Sequence, residues 1–411
     1  MMDDALREEQ VEGAVGEVER LYTVPSDRNR LLAMEGTRGV AVLLVFCVHY
    51  NALFHGYLAS GSWPLAVSRY VGTAGHAGVD LFFVLSGFLI YGATLRHATS
   101  FGRYMRRRVQ RIYPTFLAVL ALYLGLTILF PAQSKFPSGV VPAAGYLLAN
   151  LLLLPGLFPV EPIITVAWSL SFEFFYYLAL PLVVAVLGMR GWSRGGRVAF
   201  LLAVFAAIVA SPAWIGGARS RMGMFIPGML LYEAIESGVA ARWVGARGER
   251  VALVLGLVGV GAAAALRPAS GVALEFDLGL LHGAGTRLLL LATSFFLLTL
   301  YAFAYDGILR RVMEWRPLRY LGNMSYSYYL LHGVTLTGVA LALSHVVHPA
   351  PGRTAAFVAI LPVALAATMV TSTVLFLLVE KPLSLMPPVH RRRAADERVP
   401  VVAAAIEPTA D

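Results

Sequence analysis

Arg38 and His49 stand eleven residues apart in the run GTRGVAVLLVFCVHYN. At 100° per residue that spacing returns to within about 20° of its start, so on a helix both side chains occupy one stripe, about 16.5 Å apart along the axis. Arginine offers a planar, permanently charged fork suited to phosphate. Histidine titrates near neutral pH and can serve as a general base or a nucleophile. Each also has a plainer reading: Arg38 as an interfacial cation with its stem in apolar surroundings, His49 as a packed residue held by one hydrogen bond.

Other chemistry-bearing residues recur in apolar runs. GHAGVDLFFVLSGFLIYG places Asp80 near one end, within reach of water, and Ser86 two turns deeper, while Gly78 and Gly87 let another helix approach closely. FGRYMRRRVQRIYP carries five arginines in nine residues, among them Arg107, Arg108 and Arg111. Such a loop can set membrane topology, bind phosphate, or both. TVAWSLSFEFFYYLALP holds Glu173, with Tyr176 and Tyr177 at i+3 and i+4, and a carboxylate there needs a partner. YLGNMSYSYYLLHG puts His332 on the face of Ser325 and at nearly the depth of His49. Asp80 and Glu173 could orient a histidine or bind a hydroxyl, and Glu380 with Lys381 reads as an interfacial ion pair.

The elements that must carry these residues follow from composition. Of 411 residues 58% are hydrophobic and 14% charged, and mean hydropathy is +0.70. A soluble chain runs at roughly 45–50% apolar and about 25% charged, which excludes a soluble enzyme and, equally, disorder. The net charge of +9 points to basic cytoplasmic loops, not nucleic acid. The single cysteine, Cys47, rules out an internal disulfide and any cysteine-based metal site, and neither a metal nor a permanently bound cofactor is expected. A spanning helix needs about 20 apolar residues, and eleven runs qualify between 38 and 380. Charge asymmetry reduces them to ten. If the proline- and glycine-interrupted segment 141–159 lies along the interface or re-enters, 25 of the 33 basic residues fall inside and seven outside, Arg38 lying within a helix. The expected architecture is an all-α polytopic bundle of about ten transmembrane helices with both termini cytoplasmic: a tail at 1–33 without a signal peptide, a membrane domain at 34–386, and a basic tail at 387–411.

Taken together, these stretches resemble the acyltransferase-3 family of membrane-bound O-acyltransferases. The arginine–histidine spacing, GVDLFFVLSGFL, RRRVQRIYP, WSLSFEFFYY, YLGNMSYSYYLLH and VEKP are similar to that family's motifs, in its order, over about residues 34–382. No esterase-like domain is appended, so a stand-alone version is expected. The resemblance implies an enzyme of the bacterial inner (plasma) membrane that moves an acyl group, with acetyl expected, from cytoplasmic acyl-CoA to a hydroxyl of an exopolysaccharide, a cell-surface glycan or a glycosylated metabolite. It implies catalytic roles for His49, Glu173 and Asp80, and substrate or acyl-CoA binding by Arg38, Arg107, Arg108, Arg111, Ser86 and His332. Two other classes are open at this point. A proton-coupled secondary transporter also buries His, Asp and Glu in spans, though no internal repeat is found. An intramembrane hydrolase could pair Ser86 with His332, without a convincing nucleophile motif.

The ten-span arrangement has a direct test. In a chain whose native Cys47 is replaced by serine, Arg194→Cys should resist an impermeant thiol reagent in intact cells. Ready labelling there indicates eleven spans or an inverted chain.

Overall fold

Backbone polar groups in a hydrocarbon layer have no water to bond, so apolar runs close their hydrogen bonds internally as helices. The computed structural model follows that rule throughout. It describes residues 16, 19–23, 32–96, 100–210, 219–238, 244–266 and 283–385, so the expected tail 387–411 and most of the tail 1–33 lie outside the described residues. The helices are α1 (Leu32–Phe54), α2 (Trp63–Gly75), α3 (Ala77–Arg96), α4 (Phe101–Leu129), α5 (Val140–Leu151), α6 (Trp168–Val186) and α7 (Arg194–Ala210). They continue as α8 (Phe225–Glu236), α9 (Ala246–Ala265), α10 (Gly283–Ala304), α11 (Ile308–Met313), α12 (Arg316–Asn323), α13 (Ser325–Ser344) and α14 (Thr354–Leu375). The last of these passes into a π-helix, Phe376–Leu385. Among the described residues the only strand-like pairing is one isolated bridge, Pro155 to Phe158.

Among the described residues seven helical stretches are long and apolar enough to cross a membrane, which makes this a multi-pass chain. The other three expected spans are helical too, but they fall short of that standard. Helix α7 has 17 residues and α8 has 12, and the Ser- and Tyr-rich opening of α13 lowers its apolarity. The segment expected to re-enter holds α5, whose 12 residues extend about 18 Å at 1.5 Å per residue, too short to cross.

Close helix packing here is backbone against backbone. A side-chain carbon added at Gly39 would run into the Leu318 carbonyl, and one at Gly322 into the Glu35 carbonyl, so α1 and α12 touch through glycines on both sides. Gly87 and Gly228 bring α3 and α8 together in the same reciprocal way, as Gly78 does for α3 and α1, so the expected packing roles of Gly78 and Gly87 hold. Polar pairs then fix the register. Buried Glu35 accepts from Arg319 at 3.0 Å and from Asn323 at 3.3 Å, one turn before Arg38.

Two local expectations are corrected. Glu380 and Lys381 do not pair with each other. The π-helix buries Glu380, which binds Arg111 at 2.7 Å and accepts from the Ser327 backbone and hydroxyl. Lys381 instead donates to the Arg20 and Leu21 carbonyls, both at 2.7 Å. Nor is Asp80 within reach of water, being 1% exposed.

Because the α1–α12 contact leaves no room for a methyl group, Gly322→Ala should cost about 1–3 kcal/mol, the usual range for overpacking. A lowered thermal midpoint in detergent would register it. Gly338→Ala, where an added carbon meets nothing within 4 Å, should leave that midpoint at or above the parent value.

Candidate active site

Helix α1 spends its length between two cavities. The first, about 250 Å³, is bounded by Arg38 of α1, Ser86 of α3, Arg108 and Arg111 of α4, and Glu173 and Tyr177 of α6, with Tyr326 and Tyr329 of α13 closing it. Three arginines and one glutamate on its wall leave an excess of two positive charges. Arg111 is committed to Glu380 and lies 5.4 Å over the Tyr326 ring. Arg38 and Arg108 have no ion-pair partner among the described carboxylates. Arg108 rests instead between the rings of Tyr104 and Tyr177, at 5.1 and 5.0 Å, which holds its fork in place without neutralising it. Glu173 accepts from the Tyr177 hydroxyl one turn on, at 2.6 Å, and from Ser86 at 3.2 Å.

The second cavity, about 470 Å³, has His49 in its wall together with the last turns of α4, the segment before α6 and the second half of α13. The two cavities stand back to back. Tyr329 lines the first and its neighbour Leu330 the second, while Ser169 and Val166 divide in the same way. The partition is hydrogen-bonded: the Tyr329 hydroxyl is 2.7 Å from the Ser169 oxygen and donates to the Val166 carbonyl at 3.1 Å.

His332 sits behind His49, fully buried, with ring centroids 4.7 Å apart and planes at 69°. Its Nδ1 is 3.0 Å from the Tyr328 carbonyl. A carbonyl only accepts, so Nδ1 carries the proton and Nε2 the lone pair. That Nε2 is buried and has no hydrogen-bond partner. The equal depth expected of the two histidines is therefore met by direct ring contact.

The structure thus brings Arg38, Ser86, Arg108, Arg111 and Glu173 to one cavity and His49, backed by His332, to the other. It does not bring Asp80 or Arg107 to either. Arg107 is exposed. Asp80 is held by Arg221 at 2.8 Å, with Arg287 at 3.8 Å. Arg221 also donates to the His76 carbonyl and lies 5.2 Å over the Trp168 ring, at the start of α6. The ten-span arrangement counts Arg221 and Arg287 among its seven outer basic residues. Nothing local marks the Arg221 contact, which joins residues 141 apart in the chain. The framing residues Tyr326 and Tyr329 were also missed, although both lie in the singled-out run SYSYYLLH.

Comparison with known proteins shows the family. The family described as an acyltransferase domain matches residues 31–376. The chain is similar to the acyltransferase MdmB of Streptomyces mycarofaciens, 35% identical over 37% of this chain and 39% of that protein. It is similar to the exopolysaccharide production protein ExoZ of Rhizobium meliloti, 30% identical over 26% of this chain and 33% of that one. The O-acetyltransferase OatA of Staphylococcus aureus is 23% identical over 74% of this chain and 50% of its own length. The matches therefore span half or less of those relatives' lengths, and no solved structure matches the chain significantly. With a family match that runs from the first turn of α1 into the π-helix, the chain belongs to the acyltransferase-3 family.

Proposed function

We propose that this protein is a ten-span enzyme of the bacterial inner membrane, with both termini cytoplasmic. It takes an acyl group, acetyl being the expected one, from an acyl-CoA at the arginine-lined cavity and delivers it to an acceptor hydroxyl in the cavity walled by His49. The observation that carries this reading is the back-to-back pair of cavities served by one helix, with Arg38 in one wall and His49 in the other. The coenzyme is polyanionic, and the unneutralised forks of Arg38 and Arg108 suit its phosphates. Family membership favours group transfer over the transporter reading.

The chemistry follows from the histidine pair. His332 Nε2 is buried and unpartnered on a ring 4.7 Å from that of His49, and can accept the His49 N–H. That fixes the His49 tautomer and leaves its other nitrogen basic toward the acceptor cavity. With the thioester end of the coenzyme's arm carried past the Tyr329–Ser169 partition to His49, the histidine takes the hydroxyl proton, the oxygen attacks the thioester carbonyl, and the C–O bond forms. The C–S bond then breaks, and the departing thiolate receives the proton from the His49 imidazolium. In this scheme His332 is a positioning residue and His49 the base. Glu173, held by Tyr177 and Ser86, and Arg38 face the donor side.

His49→Gln should insert normally yet lose about 10²–10⁴-fold in acyl transfer, the usual contribution of general base catalysis. His332→Gln should lose less, with a displaced pH–rate profile. Arg38→Lys keeps the charge but not the fork, and should raise the KM for acyl-CoA. Initial rates of coenzyme A release in membrane vesicles measure all three. Near-normal turnover in His49→Gln beside an inactive His332→Gln would move the base to His332.

A further inference from the structure

The acceptor cavity is built unlike the donor cavity. On α1, Ala52 and Leu53 follow His49 at i+3 and i+4, so the face that presents the histidine is otherwise apolar. Across from it, α13 contributes a stripe at helical spacing that runs from Gly333 and Val334 to Gly338 and Leu341. Leu53, Phe130 and Leu341 are each more than one-third exposed and make much of the entrance apolar, with Gln133 and Lys135 exposed beside them. The hydroxyls in the helical walls are already donors to their own backbone: Thr127 to the Tyr123 carbonyl and Thr337 to the Gly333 carbonyl, both at 3.0 Å. The one charged lining residue outside the histidine, Lys135, is tied to Glu161 at 2.9 Å and to the Pro162 carbonyl. A chain of sugars needs many free polar partners, and an anionic acceptor needs a free cation. This wall offers no free cation and few free polar partners, the side chains of Tyr123, Gln133 and Thr165.

The glycines sharpen the point. After proline, glycine is the poorest helix former; several in this bundle are explained by backbone contact, as at Gly39, Gly87 and Gly322, while others, such as Gly102, Gly125 and Gly145, stand in open space outside this cavity. At Gly333 and Gly338 an added carbon meets nothing within 4 Å. Neither residue is needed for helix packing, and both open onto the cavity. At about 470 Å³ the space falls within the ~300–1,000 Å³ typical of small-molecule sites.

We infer that the acceptor is an uncharged amphipathic glycoside, which offers one sugar hydroxyl to His49 while its apolar aglycone or tail lies along α13, and that Gly333 and Gly338 set the width of the slot. This rests on the acyl-transfer reading and names the class of molecule that receives the group. Substitution at either glycine fills only the cavity, so it alters acceptor choice without disturbing the fold. Differences of a methylene or so in an apolar pocket change selectivity about 10–200-fold.

The test uses the full chain in lipid nanodiscs with radiolabelled acetyl-CoA and two probes of identical headgroup, methyl β-glucoside and octyl β-glucoside. The expected result is at least a tenfold higher kcat/KM for the octyl probe. Gly338→Leu and Gly333→Val should each lose at least tenfold toward it, mainly through KM, with unchanged thermal midpoints and unchanged stabilisation by coenzyme A. Equal rates with the two probes would overturn the acceptor assignment and leave acyl transfer standing, as would full octyl activity in both glycine variants. Absence of coenzyme A release with either probe, alongside loss of coenzyme stabilisation in the parent chain, would overturn the acyl-transfer reading and this inference with it.

Discussion

A carboxylate buried in an apolar bundle has to find a donor; among the described residues Glu249 takes the Leu309 N–H, and the other four buried acids find cations. Glu35 pairs with Arg319, Asp80 with Arg221, Glu233 with Arg197 and Glu380 with Arg111, each acid nearly inaccessible to solvent. Moving an ion out of water costs several kcal/mol even after relaxation, and only a well-placed partner offsets it. The partners come from different helices, so every pair is also a statement about which helices touch. Against that background, Arg38 and Arg108 stand out as charges in a cavity without a carboxylate partner. Lone intramembrane charges are costly, and where they persist they mark a ligand pathway.

The same logic separates two carboxylates that look alike in sequence. Asp80 is spent on structure: it draws Arg221 inward, and Arg221 in turn lies over Trp168, fixing the start of α6. Glu173, one and a half turns further along α6, inherits its placement from that clamp and is left facing the donor cavity. Asp80 thus supports the site from outside it.

Much of this was legible in the chain because it depends on local periodicity. Helix angle arithmetic alone places Arg38 and His49 on one stripe, hydropathy places most of the helices, and charge asymmetry with broken apolarity sets 141–159 apart as re-entrant or interfacial. What was not legible depends on contacts between distant residues. The partner of Asp80 lies 141 residues away and that of Arg111 lies 269 away, and no local pattern encodes either pairing. The two-cavity arrangement was hidden for the same reason, since it needs Tyr329 and Leu330, adjacent in sequence, to face different spaces. The match of Glu380 with Lys381 failed because adjacency in sequence is a weak guide on a helix, where neighbouring side chains point apart.

The pairing of Glu35 with Arg319 bridges 284 residues, and that distance is also a delay. At the usual pace of synthesis, about 5–20 residues per second, roughly 15–60 s separate the emergence of the first helix from that of the helix that completes it. Through that interval Glu35, Gly36 and Gly39 have no α11 or α12 to pack against, and α1 has only its contacts with helices already made, such as the approach of α3 at Gly78. The helix bearing Arg38 and His49 is thus made long before the contact that completes its packing. A ribosome-bound chain truncated before residue 316 would carry Arg38, Arg108 and Arg111 and still lack Tyr326 and Tyr329, which close their cavity.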